Sequence, residues 1–305
     1  MATAVDLFAG IGGNTTGAKA AGINVLWAAN HNQRVVDYHE LNHPEVKHKC
    51  QDLQQADWSQ VPAHDILLAS PCCQGHTKAR GLDGPHHHVS RSTAWAPVSC
   101  AEFHEPKAVM IENVTEMMRW KLFPQWKACW EALGYSLSFN ILDTADFGIP
   151  QHRLRMFMVG TRSKNPIDLK FEKKPHVGFE SIFDLDSGKW SRVDKPGRAQ
   201  ATLDRVEMGR RQFGSFFVMP YYKNGSGKTG RDIQRPLGTV TTRDRWAIVK
   251  DDYMRMVSVP EYRRAMSFPD ELILPKRKDH AVQALGNATC PVEVQAVLEA
   301  LQRAF

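Results

Sequence analysis

Ile66-Leu67-Leu68-Ala69-Ser70-Pro71-Cys72-Cys73-Gln74-Gly75-His76-Thr77 is an apolar run broken abruptly by proline, cysteine and glycine. The run reads as a buried strand, and the break as a tight loop carrying a thiol at its tip. A cysteine at the carboxyl end of a strand becomes a nucleophile when nearby positive charge or dipoles lower its pKa from about 8.5. For a lone cysteine the plainer reading is an inert buried thiol, so the flanking sequence has to decide.

Upstream, Ala4-Val5-Asp6-Leu7-Phe8 is a short apolar strand that runs into Ala9-Gly10-Ile11-Gly12-Gly13. Asn14 or Thr15 then offers a helix cap before Ala18 to Ala21, and Gly22 closes the helix. A strand, a glycine turn and a helix make a nucleotide-type cradle, with backbone N–H groups free to approach a ligand. The spacing is GxGG, and Thr15 stands where the dinucleotide fingerprint needs its third glycine, which disfavours a nicotinamide cofactor. Val25 to Ala29 forms a second strand ending at Asn30-His31. A carboxylate at such a strand end commonly holds ribose hydroxyls, and Asn30 offers a neutral amide instead. A third short strand ends at Gln51-Asp52-Leu53, where Asp52 is suited either to an adenine amino group or to a surface loop.

Downstream, Gly75 to Val89 is rich in glycine and histidine, holds Lys78 and Arg80, and reads as a mobile lid able to close over a polyanion. His86-His87-His88 has no carboxylate or thiol at ligand spacing, so a solvated loop is expected there rather than a metal site. A helix over 91–103 precedes the strand Ala108-Val109-Met110-Ile111, which ends at Glu112-Asn113-Val114 and sets an acid on the same rim as Cys73. Pro124 starts an amphipathic helix of Trp126, Cys129, Trp130 and Leu133, ended by Gly134. Strands over 137–142 and 156–159 flank Phe147 to Arg155, where Arg153 and Arg155 alternate and so point to one face, where they either reach the rim or simply face water. From Lys164 the pattern loosens, with no long periodic element, before strand-like order at 235–242 and a helix at 260–266. Val294, Val297, Leu298 and Leu301 fall at i, i+3, i+4 and i+7, so the last helix should pack on the large domain.

At 305 residues, the chain has room for one large domain or a large and a small one. Its six cysteines show no CxxC pair and no zinc-type spacing, so reduced thiols in a cytosol are expected. No basic n-region opens the chain and no apolar run approaches the roughly 18 residues of a membrane span, which argues against secretion and membrane insertion. The net charge of +6 is concentrated in one segment: residues 163–235 hold 15 Lys and Arg against 9 Asp and Glu, and the remainder balances. That segment also carries Trp190, Phe213, Phe216, Phe217, Tyr221 and Tyr222, a combination suited to a phosphate backbone or, equally, to a solvated basic surface.

Together these stretches resemble the cytosine-C5 DNA methyltransferase family, in that family's motif order, from Val5 to Val297. Asp6 to Gly13 resembles its S-adenosylmethionine (SAM) loop, Cys73-Gln74 its nucleophile motif, Glu112-Asn113-Val114 its acid motif, Gln151 to Arg155 its paired-arginine motif, and Gly286-Asn287 its closing motif. Two positions depart from the pattern: Cys72 replaces the proline before the nucleophile, and Asn30 replaces the acidic ribose ligand.

The resemblance implies an α/β fold: a doubly wound SAM-dependent methyltransferase domain over 1–163, to which 278–305 returns, with a small, irregular target-recognition domain at 164–277. It implies SAM as cofactor, held by Asp6, Phe8, Ala9, Gly10, Gly12, Gly13, Asn30, His31, Asp52, Leu53, Asn287 and Ala288. Cys73 would add to carbon 6 of a flipped-out cytosine in a short duplex DNA sequence, Glu112 would serve ring nitrogen 3, Arg155 the carbonyl oxygen, and Arg153 the loop. The expected protein is a metal-free monomer, cytoplasmic and nucleoid-associated, of bacterial or phage type, with DNA modification of the restriction-modification kind as its role. RNA cytosine methylation and a catalytically dead DNA-binding scaffold are the alternatives.

Overall fold

The computed structural model describes residues 1–76, 85–221 and 230–303, with the backbone alone at Gln74 and 85–87. Two compact units result: unit 1 holds Met1–Asp143, Leu154–Glu172 and Ala288–Phe305, and unit 2 holds Thr144–Arg153 and Lys173–Asn287. Residues 144–153 and 278–287, which the sequence reading grouped with the large domain, thus fall in unit 2.

Unit 1 is built on strands β1 (Thr3–Leu7), β2 (Asn24–Asn30), β3 (Lys47–Cys50), β4 (Ile66–Ala69), β5 (Ala108–Asn113), β6 (Ser136–Asp143) and β7 (Leu154–Thr161), in the order β3-β2-β1-β4-β5-β7-β6. β1 to β5 pair in parallel, and β7 runs antiparallel to both β5 and β6. Winding reverses between β1 and β4, so the carboxyl ends of these strands open on a crevice at the switch point. Side chains alternate between the two faces. Val5, Leu7, Leu67, Ala69, Val109 and Ile111 pack with Trp126 and Trp130 of α5 (Phe123–Ala132) and Cys100 and Ala101 of α4 (Trp95–His104). Ala4, Val25, Leu68 and Met110 pack on the other face with Ala18 of α1 (Gly13–Ala20) and with Val294, Val297, Leu298 and Leu301 of the last helix, Pro291–Gln302. Helices therefore cover both faces, and the C-terminal stripe lands where its spacing placed it. The remaining helices of this unit are α2 (Gln33–Asn42) and α3 (Pro85–Ser92).

Unit 2 is more regular than the sequence reading allowed. A 14-residue helix, α6 (Gln200–Phe213), lies beside a five-stranded antiparallel sheet of order β10-β9-β11-β12-β8, made of β8 (Ser191–Arg192), β9 (Phe216–Pro220), β10 (Arg231–Asp232), β11 (Trp246–Lys250) and β12 (Tyr253–Met256). The buried face of α6 is Thr202, Arg205, Val206 and Gly209, at helical spacing but mostly polar or small, so hydrophobic periodicity could not reveal it. Gly209 is required: a Cβ there would stand 2.2 Å from the Phe217 ring. The stretch 235–242 forms no strand, only a bridge between Leu237 and Gln151, and strand order begins at Trp246. Helices α7 (Val259–Ala265) and α8 (Lys278–Asn287) complete the unit. α7 opens with a capping box between Ser258 and Glu261.

Candidate active site

β1, β2, β4 and β5 end on one edge of the parallel sheet, and most of the expected site residues of unit 1 lie along it. Phe8 leaves β1 in the left-handed region (φ 60°), and Gly10 (φ 59°) and Gly12 (φ 96°) follow in kind. A non-glycine residue there is strained and is held by its surroundings; the Ala9 amide donates to the Ala29 carbonyl at 3.0 Å. Around Gly10 no atom lies within 4 Å of where a Cβ would stand, so the loop is open on that side. Gly12 and Gly13 are closed on theirs, by His43 Nε2 at 2.5 Å and the Thr289 carbonyl at 2.3 Å from such a Cβ.

The expected side-chain cap of α1 is absent. Gly12 is the N-cap and has no side chain to give, while Asn14 and Thr15 turn inward to Asp6. Asp6 is fully buried, accepting from Asn14 Nδ2 at 3.0 Å and Thr15 Oγ1 at 2.9 Å, and burial pushes its pKa up to about 7. Asp6 thus supports the loop from below. Asn14 also donates to Ser70 Oγ (3.1 Å) and accepts from Thr289 Oγ1 (2.9 Å), joining the glycine loop, the cysteine loop and the segment after Ala288. Sequence reasoning missed Asn14 and Ser70 in this role; for Asn14 the available signal was the polar pair Asn14-Thr15 directly after Gly12-Gly13.

At the end of β2, Asn30 is half-buried and its Oδ1 takes the Asn32 amide at 3.1 Å, while His31 is exposed. Asp52, exposed beyond β3, accepts from the Gln54 amide at 3.0 Å, and Leu53 packs inward in the core. Ala288 is buried in unit 1, whereas Asn287 is exposed at the end of α8 in unit 2. An open glycine loop, a helix start without a capping side chain and polar groups at successive strand ends fit an adenosine-type ligand with a charged tail.

Beyond β4 comes the cysteine loop. Ala69 pairs with Ile111 in register, so Ser70 and Pro71 run beside Glu112 and Asn113. Asn113 Nδ2 donates to the Pro71 carbonyl at 3.0 Å, Thr93 Oγ1 accepts from the Cys72 amide at 3.0 Å, and Arg91 Nε donates to the Gly75 carbonyl at 2.7 Å. The loop carrying the half-buried Cys72 and Cys73 is fastened from three sides. Glu112, 7% exposed, lies 3.0 Å from Arg155 Nε. β7 starts at Leu154, so Arg153 precedes the strand and does not share a face with Arg155. It lies buried in unit 2 and donates to the carbonyls of Val240 and Gly286, each at 3.0 Å. Gln151, in the same motif, is buried with Nε2 on the Ala265 carbonyl (2.9 Å) and Oε1 on the Val240 amide (2.6 Å). The expected lid over 75–89 falls largely outside the described residues, as do Lys78 and Arg80; its end, from Pro85, is helical in α3. Among the described residues no group of three His, Cys, Asp or Glu side chains is placed to hold a metal, and no helix is long and apolar enough to cross a membrane.

A family model described as C-5 cytosine-specific DNA methylase matches residues 2–303. The type II methyltransferase M1.HphI of Haemophilus parahaemolyticus is 24% identical over 98% of this chain and 86% of its own length. The type II methylase M.HgiEI of Herpetosiphon aurantiacus is 29% identical over 72% of this chain but only 53% of its own length, so the chain spans about half of that relative. The crystal structure of the S. pombe Dnmt2 methyltransferase superposes with a TM-score of 0.70 at 18% identity, covering 98% of this chain and 97% of that one, a likeness of fold. With the family model spanning nearly every residue, the chain belongs to the C-5 cytosine-specific DNA methylase family, whose methyl donor is S-adenosylmethionine.

Proposed function

We propose that the protein methylates carbon 5 of a flipped-out cytosine in a short duplex DNA sequence, with Cys73 as nucleophile. The observation that carries this is the Glu112–Arg155 pair, 3.0 Å apart at the rim where Asn113 fastens the cysteine loop. A carboxyl and a guanidinium side by side match one edge of cytosine: Arg155 donates to the carbonyl oxygen and Glu112 shares a proton with ring nitrogen 3. Charge that builds on the ring is relieved there while the Cys73 sulfur bonds to carbon 6 and makes carbon 5 nucleophilic. SAM supplies an electrophilic methyl group, with the 6–13 loop, Asn30, Asp52 and Ala288 as its holders. Loss of the carbon 5 proton then breaks the sulfur–carbon 6 bond and frees Cys73. Extruding the base costs a few kcal/mol, offset by phosphate contacts of the basic 163–235 segment. The type II methyltransferases among its relatives support a sequence-specific duplex target and a restriction-modification role.

The test is covalent trapping. In a duplex containing 5-fluorocytosine the carbon 5 substituent cannot leave as a proton, so attack by Cys73 should leave a SAM-dependent adduct stable in denaturing gels. The adduct should vanish in Cys73→Ala and persist in Cys72→Ala. Adduct formation on transfer RNA but not on DNA would move the substrate to RNA, and binding without adduct on either would point to an inactive scaffold.

A further inference from the structure

Below the glycine loop, unit 1 contains a chain of hydrogen-bonded side chains that the methyl-transfer steps do not use. Thr15 Oγ1 reaches Asp6 Oδ2 at 2.9 Å and His39 Nε2 at 3.1 Å, and His39 Nδ1 lies 2.7 Å from His48 Nε2. Thr15, His39 and Asp6 are all buried. A hydroxyl has one proton, and above pH 7, where Asp6 is ionised, its carboxylate can only accept. With that proton directed to Asp6, Thr15 accepts from His39, which must carry its own proton on Nε2. A neutral imidazole then has only a lone pair at Nδ1, so His48 donates to it through Nε2–H. Every bond in the chain thereby points toward Asp6.

Its neighbours keep it neutral and close to the loop. His43 stacks on His39 with ring centroids 4.9 Å apart, bonds Thr16 Oγ1 at 3.2 Å, and blocks any side chain at Gly12. The charged groups around the cluster are Asp6, the Lys19–Glu45 ion pair, and Glu40 beside His48. Burial first, and the neighbouring imidazoles second, push the His39 pKa down to about 2, which leaves its tautomer, not its charge, as the variable.

We propose that His39 is a positioning residue for the methyl donor: as the Nε2–H tautomer it orients Thr15 and Asp6, and through them the loop that receives SAM. The inference rests on the assignment of that loop to SAM. It can be tested on the full-length protein in two ways. Long-range 1H–15N spectra of the SAM-free protein at about pH 8.5, where Asp6 is ionised, should show His39 neutral with its proton on Nε2; an Nδ1–H tautomer or a charged ring would overturn the proposal. In calorimetric titrations with SAM, His39→Gln, whose amide still donates to Thr15, should bind within about threefold of wild type, while His39→Leu and Thr15→Val should bind at least tenfold more weakly. A distant buried histidine, His64→Gln, serves as the unaffected control. Equal affinities in His39→Leu and wild type, or equal losses in the Gln and Leu variants, would overturn it; if His39→Leu does not fold, Thr15→Val decides. Wild-type protein that binds no SAM would overturn the loop assignment and this inference with it, whereas wild-type binding with no difference among the variants overturns this inference alone.

Discussion

Glutamine at position 112 would keep the shape of Glu112 and its contact with Arg155 while removing the acid. Glu112→Gln is therefore expected to lower kcat/KM by about 10²–10⁴-fold, the range for a positioned acid or base, and to lower the melting temperature as well, because Arg155 keeps a hydrogen-bond partner but loses its countercharge. Arg155→Met leaves a buried carboxylate without its cation. It should lower both activity and stability, read by steady-state kinetics and by denaturant titration. Cys73 and Glu112 could be picked out as candidates because each follows an apolar run that breaks abruptly, while Arg155 was placed by its alternation with Arg153 and by resemblance to the family's paired-arginine motif. Asn113, Thr93 and Arg91 were not, since each acts on a backbone group of the cysteine loop, and nothing in a linear sequence marks such a partner. Arg153 was misplaced because alternation predicts a shared face only inside a strand, and β7 begins one residue later.

Helix α6 is an element whose packing depends on a residue usually unfavourable in helices. Gly209→Ala would raise helix propensity by about 1 kcal/mol, yet its Cβ would meet the Phe217 ring at 2.2 Å. Overpacking of this kind costs about 1–3 kcal/mol, so net destabilisation in urea is expected, and a stabilised variant would show that the ring has room to move. Glu261→Leu removes the buried partner of Arg255, whose guanidinium makes bonds of 2.8 and 2.7 Å to the carboxylate. Breaking a buried pair by removing one partner costs about 3–5 kcal/mol, measurable in the same titration. Elements whose apolar stripes face a core, such as α5 with Trp126 and Trp130 and the last helix with Val294 to Leu301, could be read from spacing alone. α6 could not, because Thr202, Arg205 and Gly209 occupy its buried face, with Arg205 donating to the Pro220 carbonyl at 3.2 Å.

Across the whole molecule, buried neutral histidines link stability to pH. Burial holds His43, His64 and His76 near pKa 4 and His39 near 2, against 6.5 in the unfolded chain. The unfolded state binds more protons below pH 6.5, so the stability these groups contribute is present above 6.5 and lost as the pH falls toward 4. Asp6 works the other way: with its pKa raised from 3.8 to about 7, its contribution is present at low pH and fades as the pH rises through 7. Histidines outnumber it, so the melting temperature should fall from pH 6.5 to pH 4, and His64→Gln should flatten that slope. The doubly wound class was legible at this scale because strands and helices alternate along unit 1. The sheet of unit 2 was less so, because its strands are short and separated by long connections, and Arg235 to Thr242 has strand-like composition without forming one. The central claim is methyl transfer through Cys73, and the most direct measurement is transfer of labelled methyl from SAM to duplex DNA by wild type, Cys73→Ala and Cys72→Ala. Transfer that survives Cys72→Ala and disappears in Cys73→Ala is the expected result; transfer that survives Cys73→Ala would contradict the claim.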